Sequence, residues 1–124
     1  MPEEETKKVV VIITHGPEDP ERASFPFVMA NGAMVMDAQA TVILQGTGVW
    51  LAKKGCYEHV FAPGLPPLQQ LVHSFIEQGG KILVCLPCIN ERKIEENTLV
   101  ETAEPIATGR AMQEILEANV VLNY

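Results

Sequence analysis

Lys81-Ile82-Leu83-Val84-Cys85-Leu86-Pro87-Cys88-Ile89-Asn90-Glu91-Arg92 is the stretch from which the rest of this chain can be read. A short apolar run follows a Gly79-Gly80 stop and ends in a cysteine. A second cysteine comes three residues later, across a proline. Apolar runs of this length behind a helical pattern read as buried parallel strands. The two cysteines then fall where the carboxyl end of a strand opens into a loop, the usual place for a site in an open α/β sheet.

The segment just upstream supports that reading. Leu68, Leu71, Val72, Phe75 and Ile76 recur at i, i+3, i+4, i+7 and i+8, the stripe of an amphipathic helix. Pro63-Gly64-Leu65-Pro66-Pro67 opens this helix and Gly79-Gly80 closes it. Further back, residues 40–44 (Ala-Thr-Val-Ile-Leu) and 9–13 (Val-Val-Val-Ile-Ile) are β-branched runs that read as strands. Gln45-Gly46-Thr47-Gly48 follows the first of these, with Thr47 as candidate N-cap of a short helix over residues 49–54. Lys53-Lys54-Gly55 supplies its end. Residues 56–62 read as either a loop or a small edge piece.

Thr14-His15-Gly16-Pro17-Glu18-Asp19-Pro20 is a turn-rich loop with neither the glycine spacing nor the Lys-Ser/Thr ending of a phosphate-binding loop. A helix should begin between residues 21 and 24, which confines Pro26 to its first turn, and run to Met36. It is apolar nearly all round, with Asn31 almost the only polar interruption. Such a helix has to be covered on both sides, and in a chain of this length the second cover is expected to be another copy of the protein.

Beyond the cysteines, residues 94–100 read as a turn or short helix. Residues 103–108 read as a strand that Pro105 demotes to an edge. A helix with Met112, Ile115 and Leu116 on one face starts at Thr108-Gly109, and residues 120–123 form a fifth strand. Strands alternating with helical connections require a parallel sheet with helices on its faces. The expected fold is therefore α/β, a flavodoxin-like three-layer arrangement around a mostly parallel five-stranded sheet. It is one domain over residues 1–124, with 1–6 an acidic, disordered tail.

The totals narrow the function. A net charge of −7 lacks the basic footprint of a nucleic-acid or anionic-membrane surface. The apolar runs are too short to cross a bilayer, and the acidic start is unlike a secretory signal. The expected location is the cytoplasm, where thiols stay reduced, and three cysteines do not make a disulfide framework.

In a parallel sheet the carboxyl ends of all strands share one edge, so His15, Gly46, Thr47, Cys85, Cys88 and Thr108 are expected to approach one another. Thiols at i and i+3 around a turn can close a small disulfide, or one can carry a sulfur atom that the other resolves. Either is activated if backbone amides stabilise its thiolate. His15 is a candidate base or anion-orienting group. Half a zinc site is present, but His59 and His73 lie in unrelated segments, so no metal is expected within one chain, while a site completed across an oligomer interface stays open; no cofactor is expected. Cys56 has no partner nearby in sequence, and His73 should be exposed on the polar side of its helix.

Over most of its length the chain resembles the DsrE/DsrF-like family, the sulfur-relay group that includes the TusBCD-type proteins. The resemblance rests on Thr14-His15-Gly16-Pro17 with Glu18-Asp19-Pro20-Glu21-Arg22, and on Ala30-Asn31-Gly32-Ala33. It also rests on Thr41-Val42-Ile43-Leu44 followed by Gly48-Val49-Trp50-Leu51, and on Gly80-Lys81-Ile82-Leu83-Val84-Cys85 with Arg92 seven residues on. It implies that Cys85 accepts and passes on persulfide sulfur, that Arg92 belongs to the binding set, and that the protein forms homo-oligomers, trimers or hexamers. A donor or acceptor protein for sulfur is a further implied partner. Simpler relay members carry one cysteine here, so the Cys85/Cys88 pair resembles a Cys-x-x-Cys subgroup and leaves a dithiol mechanism open. Two other readings stand beside sulfur carriage: a dithiol oxidoreductase, and a non-catalytic module that binds a small ligand or serves as a scaffold.

Overall fold

Five apolar runs become the strands of one sheet in a computed structural model of the chain: β1 (Lys8–Ile13), β2 (Gln39–Leu44), β3 (Lys81–Cys85), β4 (Ala103–Ile106) and β5 (Val120–Asn123). The structure describes residues 6–124; the expected acidic tail lies outside the described residues, Thr6 excepted. The strand order is β4-β3-β2-β1-β5, and every pair of strands is parallel. The expected α/β layer is thus the one that forms, although flavodoxin itself orders its strands 2-1-3-4-5. Ile12, Ile43, Leu83 and Glu104 lie in one row across four strands. β4 is an edge strand, where Pro105 removes no ladder bond that a further neighbour would need.

The first four strands are laid down side by side in one direction, so right-handed crossovers put their connections on one face. That face carries α1 (Pro20–Val35), the 3-10 turn Gly46–Ala52, α2 (Leu68–Glu77) and the short α3 (Leu86–Glu91). Val11, Ile13, Val42, Leu44, Ile82 and Val84 of the strands pack there against Phe27, Leu51, Val72, Phe75 and Ile89. The return from β4 to β5 runs the other way, and α4 (Thr108–Glu117) therefore covers the opposite face. It packs over Val10, Ile43, Leu83 and Ile106.

Asn31, the polar interruption in α1, joins two helices. Its amide donates to the carbonyls of Phe27 (2.8 Å) and Leu71 (3.0 Å), and its oxygen accepts from Gln78 Nε2 (2.7 Å). Beside it the rings of Phe27 and Phe75 meet edge-on at 5.9 Å.

Several expectations need correction. α1 starts earlier than its apolar pattern because Asp19 caps it, accepting the N–H of Arg22 at 3.1 Å, and Pro20 takes the first position. Pro26 therefore lies beyond the first turn, inside the helix, where the Arg22 carbonyl has no N–H to receive. The short helix after β2 is a 3-10 turn beginning at Gly46, so Thr47 lies within it and caps nothing. The ambiguous segment at residues 56–62 contains one 3-10 turn, Tyr57–His59. After β3 there is no loop: α3 begins at the residue following Cys85. On α4, Ala111 and Ile115 face the sheet, while Met112 and Leu116 are exposed.

Candidate functional site

Adjacent parallel strands whose connections leave to opposite faces open a crevice at their carboxyl ends. Here those strands are β3, which passes into α3 on one face, and β4, which passes into α4 on the other. Cys85 ends β3 at that crevice, opposite Ile106 of β4. A cavity of about 90 Å³ fills the crevice, lined by Cys85, Ile43, Ile106, Ala111, Met112 and Ile115, with Gln45 and Thr108 supplying polar groups. The strand alternation that buries Leu83 under α4 also points Cys85 to this side.

Cys88 lies one helical turn on. Its sulfur is joined to that of Cys85 as a disulfide, with 5.2 Å between the Cα atoms, inside the range such bonds span. The backbone N–H of Gly46 donates to Cys88 Sγ at 3.3 Å. Gly46 can aim that N–H because it adopts φ +55°, a left-handed turn at the end of β2. Arg92 Nη1 donates to the Cys88 carbonyl at 3.1 Å, which brings a cation to the same turn. Both contacts hold the Cys88 side of the pair, the Gly46 N–H at its sulfur and Arg92 at its carbonyl. The two cysteines are therefore unlike: Cys85 opens on the cavity, and Cys88 is held from behind by the β2 loop.

The residues expected from sequence are placed as follows. Gly46 meets Cys88 directly, and Thr108 and Gln45 share the cavity with Cys85. Arg92 anchors the α3 turn through its hydrogen bond to Cys88. His15 sits in the loop after β1, where Nδ1 pairs with Glu18 Oε2 at 3.2 Å, while Glu18 Oε1 accepts the Gly16 N–H at 2.6 Å. It makes no hydrogen bond to either cysteine. Thr47 abuts that loop: a side chain at Gly16 would run into the Thr47 carbonyl.

Ile106, Ala111 and Met112 are site residues that sequence reasoning missed. The only sequence signal for them was that α4 follows a strand in a parallel sheet; the face it crosses to is set by the return to β5. Among the described residues no group of three or more His, Cys, Asp and Glu side chains comes together to hold a metal. Cys56 is free and half-buried. No helix among them is long and apolar enough to cross a membrane.

A second cluster lies at the opposite end of the sheet. Tyr57, nearly buried, shares a 2.9 Å hydrogen bond with His73 Nε2, so His73 is exposed but paired. Burial, and then the carboxylates of Glu58 and Glu101, hold the Tyr57 phenol above its ordinary value.

Comparison with known proteins adds the following. The family model described as the DsrE/DsrF-like family matches residues 7–124. Two proteins of Methanocaldococcus jannaschii, MJ0760 and MJ0989, are each 32% identical, over 91% and 94% of this chain. The chain spans 41% of the length of MJ0760 and 99% of MJ0989. Among solved structures, YchN of E. coli superimposes with a TM-score of 0.81 at 20% identity, covering 96% of this chain and 100% of YchN. MTH1491 of Methanobacterium thermoautotrophicum does so with a TM-score of 0.76 at 14% identity, covering 95% and 99%. At these identities the two structures establish a shared fold.

Proposed function

Because this chain belongs to the DsrE/DsrF-like family, we propose that it is a cytoplasmic sulfur carrier or sulfurtransferase subunit that holds persulfide sulfur on Cys85. The observation that carries this reading is the asymmetry of the cysteine pair. Cys85 opens on the crevice cavity, and Cys88 is backed by the Gly46 N–H. The Cys85 thiolate attacks the outer sulfur of a sulfane donor R–S–S–H, forming a new S–S bond at Cys85 and releasing the thiolate RS⁻. An acceptor nucleophile then takes the terminal sulfur and returns Cys85 as thiolate. Without an acceptor, the Cys88 thiolate attacks Cys85 Sγ, closes the disulfide and expels hydrosulfide; an external dithiol restores the pair.

Mass spectrometry of the reduced chain after exposure to polysulfide tests this. One sulfur atom should be gained at Cys85. The gain should vanish in Cys85→Ser and accumulate in Cys88→Ser, where resolution is blocked. A gain that survives Cys85→Ser and disappears in Cys88→Ser would reverse the roles, and no gain in any form would end the proposal.

A dithiol–disulfide cycle on the same pair is the second reading, favoured by the disulfide itself. Turnover of protein disulfides without any sulfur adduct would select it.

The carrier works as a homo-oligomer, a trimer or hexamer, that exchanges sulfur with a donor or acceptor protein. Support for self-association comes from Phe25, Met29, Val35 and Met36, which line the outer side and end of α1 and are exposed. Light scattering should give a multiple of the chain mass that Met29→Glu lowers; a monomeric wild type would refute this part.

A further inference from the structure

A second cavity, of about 220 Å³, lies at the amino ends of β1, β2 and β3, beside the last turns of α4. The strand register fixes which side chains reach it. Lys8 stands beside Gln39 in one row, and Val10, Thr41 and Lys81 line up in the next, all on the face that α4 crosses. The sheet wall thus carries two ammonium groups, an amide and a hydroxyl. The helix wall carries the carboxylates of Glu114 and Glu117. Charge is segregated across the cavity, with cations and hydrogen-bond donors on the sheet and carboxylates on the helix.

Thr41 shows that this cavity needs an occupant. It is only 8% exposed, and its hydroxyl has no hydrogen-bond partner among the described residues. A hydroxyl in that position costs free energy unless something in the cavity answers it. Lys8 meets Glu117 at 3.8 Å and Arg110 meets Glu114 at 2.8 Å, which leaves Lys81 as the lining charge with no ion pair among the described residues. Those pairs use one oxygen of each carboxylate, Glu117 Oε2 and Glu114 Oε1, so the other oxygen can accept from a ligand. The last turn of α4 holds no basic residue, and the negative end of the helix dipole adds to the attraction for a cation there.

We propose that this cavity binds a compact zwitterion of the amino-acid type, its carboxylate received by Thr41, Lys81 and the Gln39 amide and its ammonium by Glu114 and Glu117. A simple anion would be drawn to the sheet wall but would lie against two carboxylates, and a simple cation would lie against two lysines. A zwitterion meets the opposite charge on both walls. The volume is below the roughly 300 Å³ at which sites for drug-sized ligands begin, which selects a small molecule. Val10 and Met34 give it apolar surface for a short aliphatic side chain. The site is separate from the cysteines, because Lys81 opens β3 and Cys85 closes it, roughly 13 Å away along the strand. The inference does not rest on the carrier reading.

The test is a titration of the full chain, labelled with 15N, followed by the backbone amide shifts of Thr41, Lys81 and Glu117. The probes are L-valine, N-acetyl-L-valine, which lacks the ammonium, and L-valine methyl ester, which lacks the carboxylate. L-valine should give saturable shifts at all three positions, and each derivative should bind about tenfold or more weaker, the scale of one lost hydrogen bond to a charged group. Thr41→Val keeps the shape of the side chain under α4, and Lys81→Gln changes an exposed position; thermal melts show that each is folded. Both should weaken L-valine by about tenfold, and Glu117→Gln should weaken L-valine while leaving N-acetyl-L-valine unchanged. Absence of saturable shifts, with water alone on the Thr41 hydroxyl, would overturn the inference. So would a derivative that binds as tightly as L-valine, or an affinity that folded Thr41→Val and Lys81→Gln leave unmoved.

Discussion

Replacing Gly48 with alanine tests whether the β2 loop positions the dithiol. Gly48 lies in the 3-10 turn Gly46–Ala52 against the end of β1, and an alanine Cβ there would stand 2.3 Å from the Ile13 carbonyl oxygen and 3.0 Å from its carbon. Both obstacles are backbone atoms of a central strand, so the turn has to move away by roughly 1 Å, the difference from an ordinary contact near 3.5 Å. Overpacking against a rigid neighbour costs about 1–3 kcal/mol, and the absence of a side chain that could rotate aside puts this case at the upper end. For a chain of this size, about 2–3 kcal/mol lowers the melting temperature by roughly 8–12 °C.

The displacement also has a chemical consequence. Gly46 precedes Gly48 by two residues in the same turn, and its N–H is the donor to Cys88 Sγ. Lifting the turn lengthens that bond and uncovers the sulfur it holds, so Cys88 of the reduced variant should be alkylated faster than in the wild type. Urea unfolding followed by the fluorescence of Trp50, which lies in the turn, gives the stability; the rate of iodoacetamide alkylation of Cys88 at one fixed pH gives its accessibility. Gly32→Ala is the control: it is exposed in α1 with nothing within 4 Å of its new Cβ, and should stabilise by about 0.5–1 kcal/mol. A Gly48→Ala protein as stable as the wild type, with Cys88 alkylated at an unchanged rate, would refute the close-approach argument.

Three further outcomes are expected. Ser24 is fully buried in α1 and its hydroxyl has no hydrogen-bond partner among the described residues, so Ser24→Ala should stabilise by about 1 kcal/mol in urea unfolding; a loss of stability would mean the hydroxyl is satisfied. Asn31→Ala removes a side chain that serves two carbonyls and an amide between α1 and α2, and should cost about 1–3 kcal/mol, read from the same denaturation curves. Tyr57→Phe should cost about 1 kcal/mol at pH 8 through the lost bond to His73. Because the folded state raises the Tyr57 pKa, the neutral phenol is favoured there; that stabilisation is complete below about pH 10 and is lost as pH rises through the folded value. The wild type should therefore lose more stability than Tyr57→Phe between pH 8 and pH 11, and parallel losses would contradict the assignment.

Much of this molecule is written locally. The Val9 to Ile13 run becomes a strand because β-branched residues fit a pleated, buried surface, the 120–123 segment pairs beside it as an exposed edge strand, and the Leu68 to Ile76 stripe becomes α2 because its period is that of a helix. Strand–helix alternation then forces a parallel sheet, and a parallel sheet forces the strand ends, with Cys85 among them, onto one edge. Local pattern was weaker where the backbone's own hydrogen-bonding needs decided the outcome. α1 begins at the Asp19 cap rather than at its first apolar residue, and the Cys85 to Cys88 segment continues as helix although its proline suggests a loop, because Pro87 occupies an early position where its missing N–H costs nothing.

What sequence by itself determined is the layer, the edge on which the site lies and the pair of cysteines in it. What only the tertiary structure decided is how the two cysteines differ. Cys85 acquires an apolar cavity because the chain returns from β4 to β5 over the far face, laying Ala111, Met112 and Ile115 across the crevice. Cys88 acquires the N–H of Gly46, 42 residues away in the chain. Both contacts join segments distant in sequence whose proximity is set by strand order and crossover direction, and no local pattern of residues encodes either of these.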